Sequence, residues 1–212
     1  MRAPAVLLVL GTALAVGLPT TWALTRPDTA AGPPVAAVLA TPTTSAPAPG
    51  TAITARPAAP SPVTPVVAPV RLELAGVDAP LDPVGVDDAG GMALPADVDR
   101  VGWYRFGPAP GAGEGTAVLA GHVDDAVQGL GALAPLRDVE VGAEVRVTDA
   151  AGAATRWRVV SRELIEKPEV PWTTLFRRTG PPRLVLVTCG GEFVPELRSY
   201  RSNVVVVAEA VP

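Results

Sequence analysis

The sequence is poor in the residues that usually carry chemistry. Among 212 residues there is one cysteine and one histidine, and aromatic side chains make up only 4%. A single cysteine excludes an intramolecular disulfide. It also lacks a basic excess: Lys and Arg number 17 against 21 Asp and Glu, a formal net charge of −4. Only Arg2, Arg26, Arg56 and Asp28 fall in the first 69 residues, so the remainder is more acidic than the whole. A mildly acidic domain with scattered arginines lacks the electrostatic footprint of a nucleic-acid binder, and nucleic acid is not expected as a partner. No internal repeat is visible.

What is present is distributed unevenly, and three segments follow. From Ala3 to Leu24 there is no charged residue. A bilayer core needs about 20 apolar residues as helix, and Arg2, Trp22 and Arg26 sit where interfacial anchors are expected. Residues 1–26 are therefore predicted to be an N-terminal transmembrane anchor. A cleaved signal peptide is the alternative, although the apolar run exceeds the usual ~7–15-residue core of such signals. Both readings export the rest of the chain. Residues 27–69 hold eleven prolines, much Ala and Thr, and only two charges. Such a segment buries too little apolar surface to offset the entropy of ordering, which predicts a disordered Pro-rich linker lifting the domain off the membrane.

Residues 70–212 change character and are expected to form one catalytic-sized domain. Short β-type runs at 70–74, 85–86, 115–121, 144–148, 156–163, 183–189 and 203–209 are separated by Gly, Pro and Asp. Short helical pieces are expected near 130–136 and 172–178. The unalternating runs 184–187 and 204–207 read as strands buried on both faces. Many short strands with few helices predict a mainly β barrel or sandwich.

His122 ends the apolar run 117–121, and Cys189 ends the apolar run 184–188, followed by Gly190-Gly191. Both stand where buried strands emerge into loops, the places from which a rigid scaffold presents reactive groups. In an exported domain an unpaired thiol calls for a reason. A thiol of ordinary acidity is only partly ionised at neutral pH; a nearby imidazolium favours the thiolate and can protonate a leaving amine. Arg201 opens the last strand, and a hairpin centred near residue 195 would set it across from Cys189. A guanidinium there can stabilise an oxyanion or hold a substrate backbone. Singly, each residue also fits a packing or surface role; together they define a candidate cysteine enzyme.

The chain resembles the sortases. Leu186-Val187-Thr188-Cys189 resembles the end of their Thr-Leu-x-Thr-Cys signature, Gly121-His122 their histidine site, and Tyr200-Arg201-Ser202-Asn203 their arginine site. Gly102-Trp103-Tyr104, Leu119-Ala120-Gly121-His122-Val123-Asp124 and Cys189-Gly190-Gly191 are most similar to the actinobacterial, Gram-positive class F, with class E next. The resemblance covers about 70–212. It implies an eight-stranded β-barrel with the histidine after the fourth strand, the cysteine ending the seventh and the arginine opening the eighth.

By that resemblance the protein is a membrane-anchored cysteine transpeptidase, single-pass, with its catalytic domain extracellular. It would cleave a C-terminal Leu-Pro-x-Thr-Gly-like sorting motif between Thr and Gly through a thioacyl-enzyme. The acyl group would pass to an amine of a peptidoglycan precursor or pilin. Cys189 would be nucleophile, His122 general acid/base and Arg201 the oxyanion or substrate-positioning group. Thr188 is a weaker substrate-positioning candidate. Trp172, Leu175 and Phe176, in the 166–183 loop where the family selects substrate, are candidates for an apolar groove. Two departures stand out: Val185 where the signature has Thr, and Ser202 where an acidic residue is expected. Arg198 is a rival arginine. No cofactor and no metal site are expected, since Asp124-Asp125 is too slight a cluster; calcium activation is left open. The alternatives are a different exported cysteine hydrolase and a catalytically inactive sortase-like surface binding module.

Overall fold

The computed structural model describes residues 29–40 and 67–211. The predicted anchor at 1–26 and most of the predicted linker lie outside the described residues. Among those described, no helix is long and apolar enough to cross a membrane.

Eight strands close into a barrel, as the resemblance implied. They are β2 (Pro69–Leu74), β3 (Val77–Val84), β4 (Val101–Tyr104), β5 (Thr116–Ala120), β8 (Glu144–Asp149), β9 (Ala154–Glu166), β10 (Arg183–Val194) and β11 (Ser199–Ala210). Two-residue strands β6 (Asp124–Asp125) and β7 (Gly129–Leu130) form a small side hairpin. Around the barrel the order is β9-β11-β10-β5-β4-β3-β2-β8, and β8 pairs back with β9 to close it. Closure leaves no barrel edge unpaired, which removes the hazard of open sheet edges. The β5–β10 and β3–β4 pairs are parallel, and the other pairs within the barrel are antiparallel.

Two of the eight barrel strands escaped the sequence reading, as did the two-residue strands. In β3, Val77, Ala79 and Leu81 alternate inward, but Pro80 and Pro83 mask the pattern. The strand tolerates them because it changes partner halfway: residues 77–80 pair with β2 and residues 81–84 with β4. A proline can occupy a strand position whose N–H has no ladder partner. β4 is only four residues long. The predicted run at 85–86 is reduced to a single bridge between Val86 and Met92.

Leu72, Leu119, Trp157, Leu184, Leu186 and Val206 fill the barrel interior. The alternate residues Val185, Val187, Val205 and Val207 face outward and are buried too. Their cover is a correction to the linker reading. Residues 29–40 form strand β1 (Ala30–Ala31), paired antiparallel with Glu163 and Arg162 of β9, and helix α1 (Val35–Leu39). The Ser161 hydroxyl donates to the Pro33 carbonyl at 2.6 Å, and the Val35 N–H donates to the Glu163 carboxylate at 2.8 Å. Val35 and Leu39 sink into the outer apolar cluster with Val170 and Leu175. Composition misled here: two well-placed apolar side chains and a few backbone bonds suffice to dock a short segment onto a face that must be covered.

Candidate active site

The site is built where the parallel pairing of β5 and β10 stops. β10 itself runs on past Cys189 to Val194 as a hairpin with β11, so the cysteine does not end the seventh strand, and Arg201 is the third residue of the eighth and not its first. The parallel register runs to Ala120 opposite Val187. It continues one step further through the Gly121 N–H donating to the Val187 carbonyl at 3.2 Å and the buried Thr188 hydroxyl donating to the Gly121 carbonyl at 2.8 Å. His122 and Cys189 are the next residue on each strand. Matching lengths of apolar strand thus carry the histidine and the cysteine to the same rim of the barrel. Both are half-buried, and Cys189 is a free thiol.

Two glycines shape the surroundings. Gly191 has φ +78°, a conformation that side-chain-bearing residues rarely adopt, and a Cβ there would lie 3.0 Å from the Ser202 hydroxyl. It allows β10 to bulge between Gly190 and Phe193 directly after the cysteine. Gly131 passes so close under the histidine that a Cβ would lie 2.4 Å from the His122 carbonyl oxygen.

The His122 ring is oriented by a backbone group 27 residues away, with Nε2 3.0 Å from the Pro95 carbonyl. A carbonyl oxygen only accepts, so Nε2 carries the proton and Nδ1 is the nitrogen left to exchange one. Pro95 lies in the excursion between β3 and β4. That excursion is held at its base by Arg100, whose Nε and Nη2 donate to the two oxygens of Asp82, each at 2.5 Å. The guanidinium holds the Asp82 carboxyl below the usual aspartate range.

Hairpin symmetry placed Arg201 across from Cys189; the register corrects this. Cys189 stands opposite Asn203, and Gly190 opposite Ser202, because the hairpin turns one residue later than expected and the bulge intervenes. Arg201 lies beside the bulge, exposed, with Nε 3.6 Å from the Glu192 carboxylate. The rival Arg198 is the left-handed residue of the tip turn, at φ 47°, several residues along the hairpin from the cysteine.

Two cavities meet at Cys189, sharing only Thr188 and Cys189 among their lining residues. The larger, about 680 Å³, has apolar walls that include Val86, Met92, Leu94, Trp172 and Phe176, with Asn203 beside the thiol. Trp172 and Phe176 belong to helix α2 (Trp172–Leu175) and its C-cap. Phe176 also packs edge-on against Tyr104 at 5.0 Å between ring centroids. Leu175, predicted for the groove, points the other way and is fully buried in the outer core cluster. The smaller cavity, about 290 Å³, combines apolar walls such as Leu130, Leu164 and Val204 with the polar residues Asp124, Arg137, Arg162 and Tyr200, and has Thr29 of the N-terminal segment on its wall. The Tyr200 hydroxyl donates to the Asp124 carboxylate. That bond, with burial, pushes the phenol above its ordinary range. Sequence reasoning missed Pro95 altogether and quoted Asn203, Asp124 and Tyr200 only within motifs, without a place in the site. Among the described residues no group of three or more His, Cys, Asp or Glu is placed to hold a metal ion.

A family model described as the sortase domain matches residues 73–211. The chain belongs to the sortase family. Sortases are transpeptidases, and the closed eight-stranded barrel is theirs. Among solved structures, sortase A from Corynebacterium diphtheriae (a lid mutant) matches at TM-score 0.52 and 19% identity, over 70% of this chain and 71% of that one. Sortase C-1 from Actinomyces oris matches at 0.51 and 18%, over 68% and 73%. Sortase A from Listeria monocytogenes matches at 0.50 and 19%, over 69% and 88%. At such identities these likenesses bear on fold alone. No curated protein matches the chain.

Proposed function

We propose that this sortase cleaves a C-terminal sorting motif of the Leu-Pro-x-Thr-Gly kind between Thr and Gly, and passes the acyl group to an amine of the cell wall or a pilin. Its short motifs favour class F, and the uncharged run at Ala3–Leu24 favours a single-pass anchor with the barrel outside the cell. The observation that carries the reading is the delivery of His122 and Cys189 to one rim by adjacent parallel strands, beside a long apolar groove.

The substrate motif lies along the groove walled by Trp172 and Phe176, with Thr188 and Asn203 flanking the scissile bond. The Cys189 thiolate attacks the threonyl carbonyl, forming a C–S bond and an oxyanion. Arg201 swings from the exposed Glu192 contact to meet that charge, a rearrangement that costs little because surface ion pairs are weak. The C–N bond then breaks, and the departing amine takes a proton from His122 Nδ1, since Nε2–H is held by Pro95. An amine acceptor then attacks the thioester. Cys189→Ala and His122→Gln test the reading with a sorting-motif peptide, by following release of its C-terminal fragment. The alanine variant is expected to release none, and the glutamine variant to be slower by roughly 10²–10⁴-fold. Equal release by wild type and Cys189→Ala would discard the proposal.

A further inference from the structure

The second cavity at Cys189 is unused by the steps above. Once the thioacyl group forms, its peptide fills the apolar groove, so the attacking amine needs another approach to the same carbonyl. The smaller cavity is that approach: it reaches Cys189 and shares only Thr188 and Cys189 with the groove. Its walls carry charged side chains among apolar ones, whereas no charged residue lines the groove. Asp124 presents a carboxylate tied on one oxygen to Tyr200, and Arg137 presents an exposed guanidinium whose Nε lies 3.4 Å from the Asp138 carboxylate, a surface pair weak enough to exchange partners. The Arg137 backbone is fixed in turn by Arg162, a buried side chain that donates to its carbonyl. Tyr200, Asp124, Arg137 and Cys189 all line this one cavity.

Resting on the sortase reading, we infer that this cavity is the acceptor site, and that it takes an amine whose own carbon chain bears a nearby carboxylate. Asp124 holds the ammonium and Arg137 the carboxylate, an arrangement that matches an amino-acid-type amine and rejects a bare one. Charge-assisted contacts of this kind discriminate strongly when they lie in a small concave site. The bound ammonium first loses a proton to water. The neutral nitrogen then attacks the thioester carbon, a C–N bond forms, and the C–S bond breaks with sulfur leaving as thiolate. The second amine proton passes to His122 Nδ1, which restores the starting pair.

The full chain is given a sorting-motif peptide with either alanine or ethylamine, the same amine without its carboxylate. Mass spectrometry then reads the ratio of amide to hydrolysed acid. That ratio is set after the shared thioacyl-enzyme forms, so it is independent of how fast each variant makes it. The expected result is a ratio at least ten-fold higher with alanine for wild type. Arg137→Gln should erase this preference, and Asp124→Asn, which can still accept from Tyr200, should lower the ratio with both amines. Tyr200→Phe, which frees the carboxylate, should raise it. Peptide cleavage with a ratio indifferent to these substitutions, or no preference for alanine, overturns the acceptor assignment alone. Absence of any cleavage overturns the sortase reading, and the acceptor assignment with it.

Discussion

At the scale of single residues, the site depends on a few hydrogen bonds that fix which atom is free to react. His122 spends Nε2–H on a backbone carbonyl, which leaves Nδ1 as the ring nitrogen open to exchange a proton. Tyr200 and Asp124 form a comparable pair on the other side of the thiol. The phenol is held protonated chiefly by its bond to Asp124, so its pKa in the folded state lies above the unfolded value. The linked stability is complete below the ordinary tyrosine range and is lost as pH rises through the raised value. Ultraviolet titration of the two tyrosines should show Tyr200 ionising later than a free phenol, and Asp124→Asn should bring that titration down. An unmoved titration in the variant would mean that Asp124 is not its cause.

At the scale of elements, β10 and β11 explain most of the architecture. Each is apolar on both sides, which requires cover inside and out. The barrel interior supplies one cover, and α1 with the 167–176 segment supplies the other. Leu39, only 6% exposed, plugs this outer layer. Leu39→Ala should therefore destabilise the chain by about 2–4 kcal/mol in urea or thermal unfolding, the range for emptying a buried leucine site. A change below ~0.5 kcal/mol would show that the segment is loosely seated. The same layer reaches the smaller cavity through Thr29. Residues 29–40 thus act as part of the domain rather than as tether.

At the scale of the whole molecule, the barrel divides the work between two sides of one sulfur. On the proposed reading an apolar groove serves an extended peptide, and the smaller cavity with its charged side chains serves a small amine. This division predicts that removing a groove wall changes one substrate and not the other. Trp172→Ala should raise KM for the sorting peptide roughly five-fold, in line with ~1 kcal/mol for an aromatic contact. The amide-to-acid ratio should stay at the wild-type value. A parallel change in both would show that the two sides are coupled through the thioacyl group.

Residue type and local pattern determined much of this by themselves. The lone His122 and Cys189 each end an apolar run, and the two-sided runs 184–187 and 204–207 had to be interior strands. Those properties depend only on neighbours in sequence. Tertiary structure decided the rest. Whether Arg201 or Asn203 faces Cys189 turns on where the hairpin reverses and where Gly191 bulges. Whether Leu175 lines the groove or the core turns on the rotation of one helical turn. The Pro95 carbonyl and the docked 29–40 segment leave no local trace at all. Register, bulges and cover are set by packing between distant segments, and their free energies appear only once the barrel has closed.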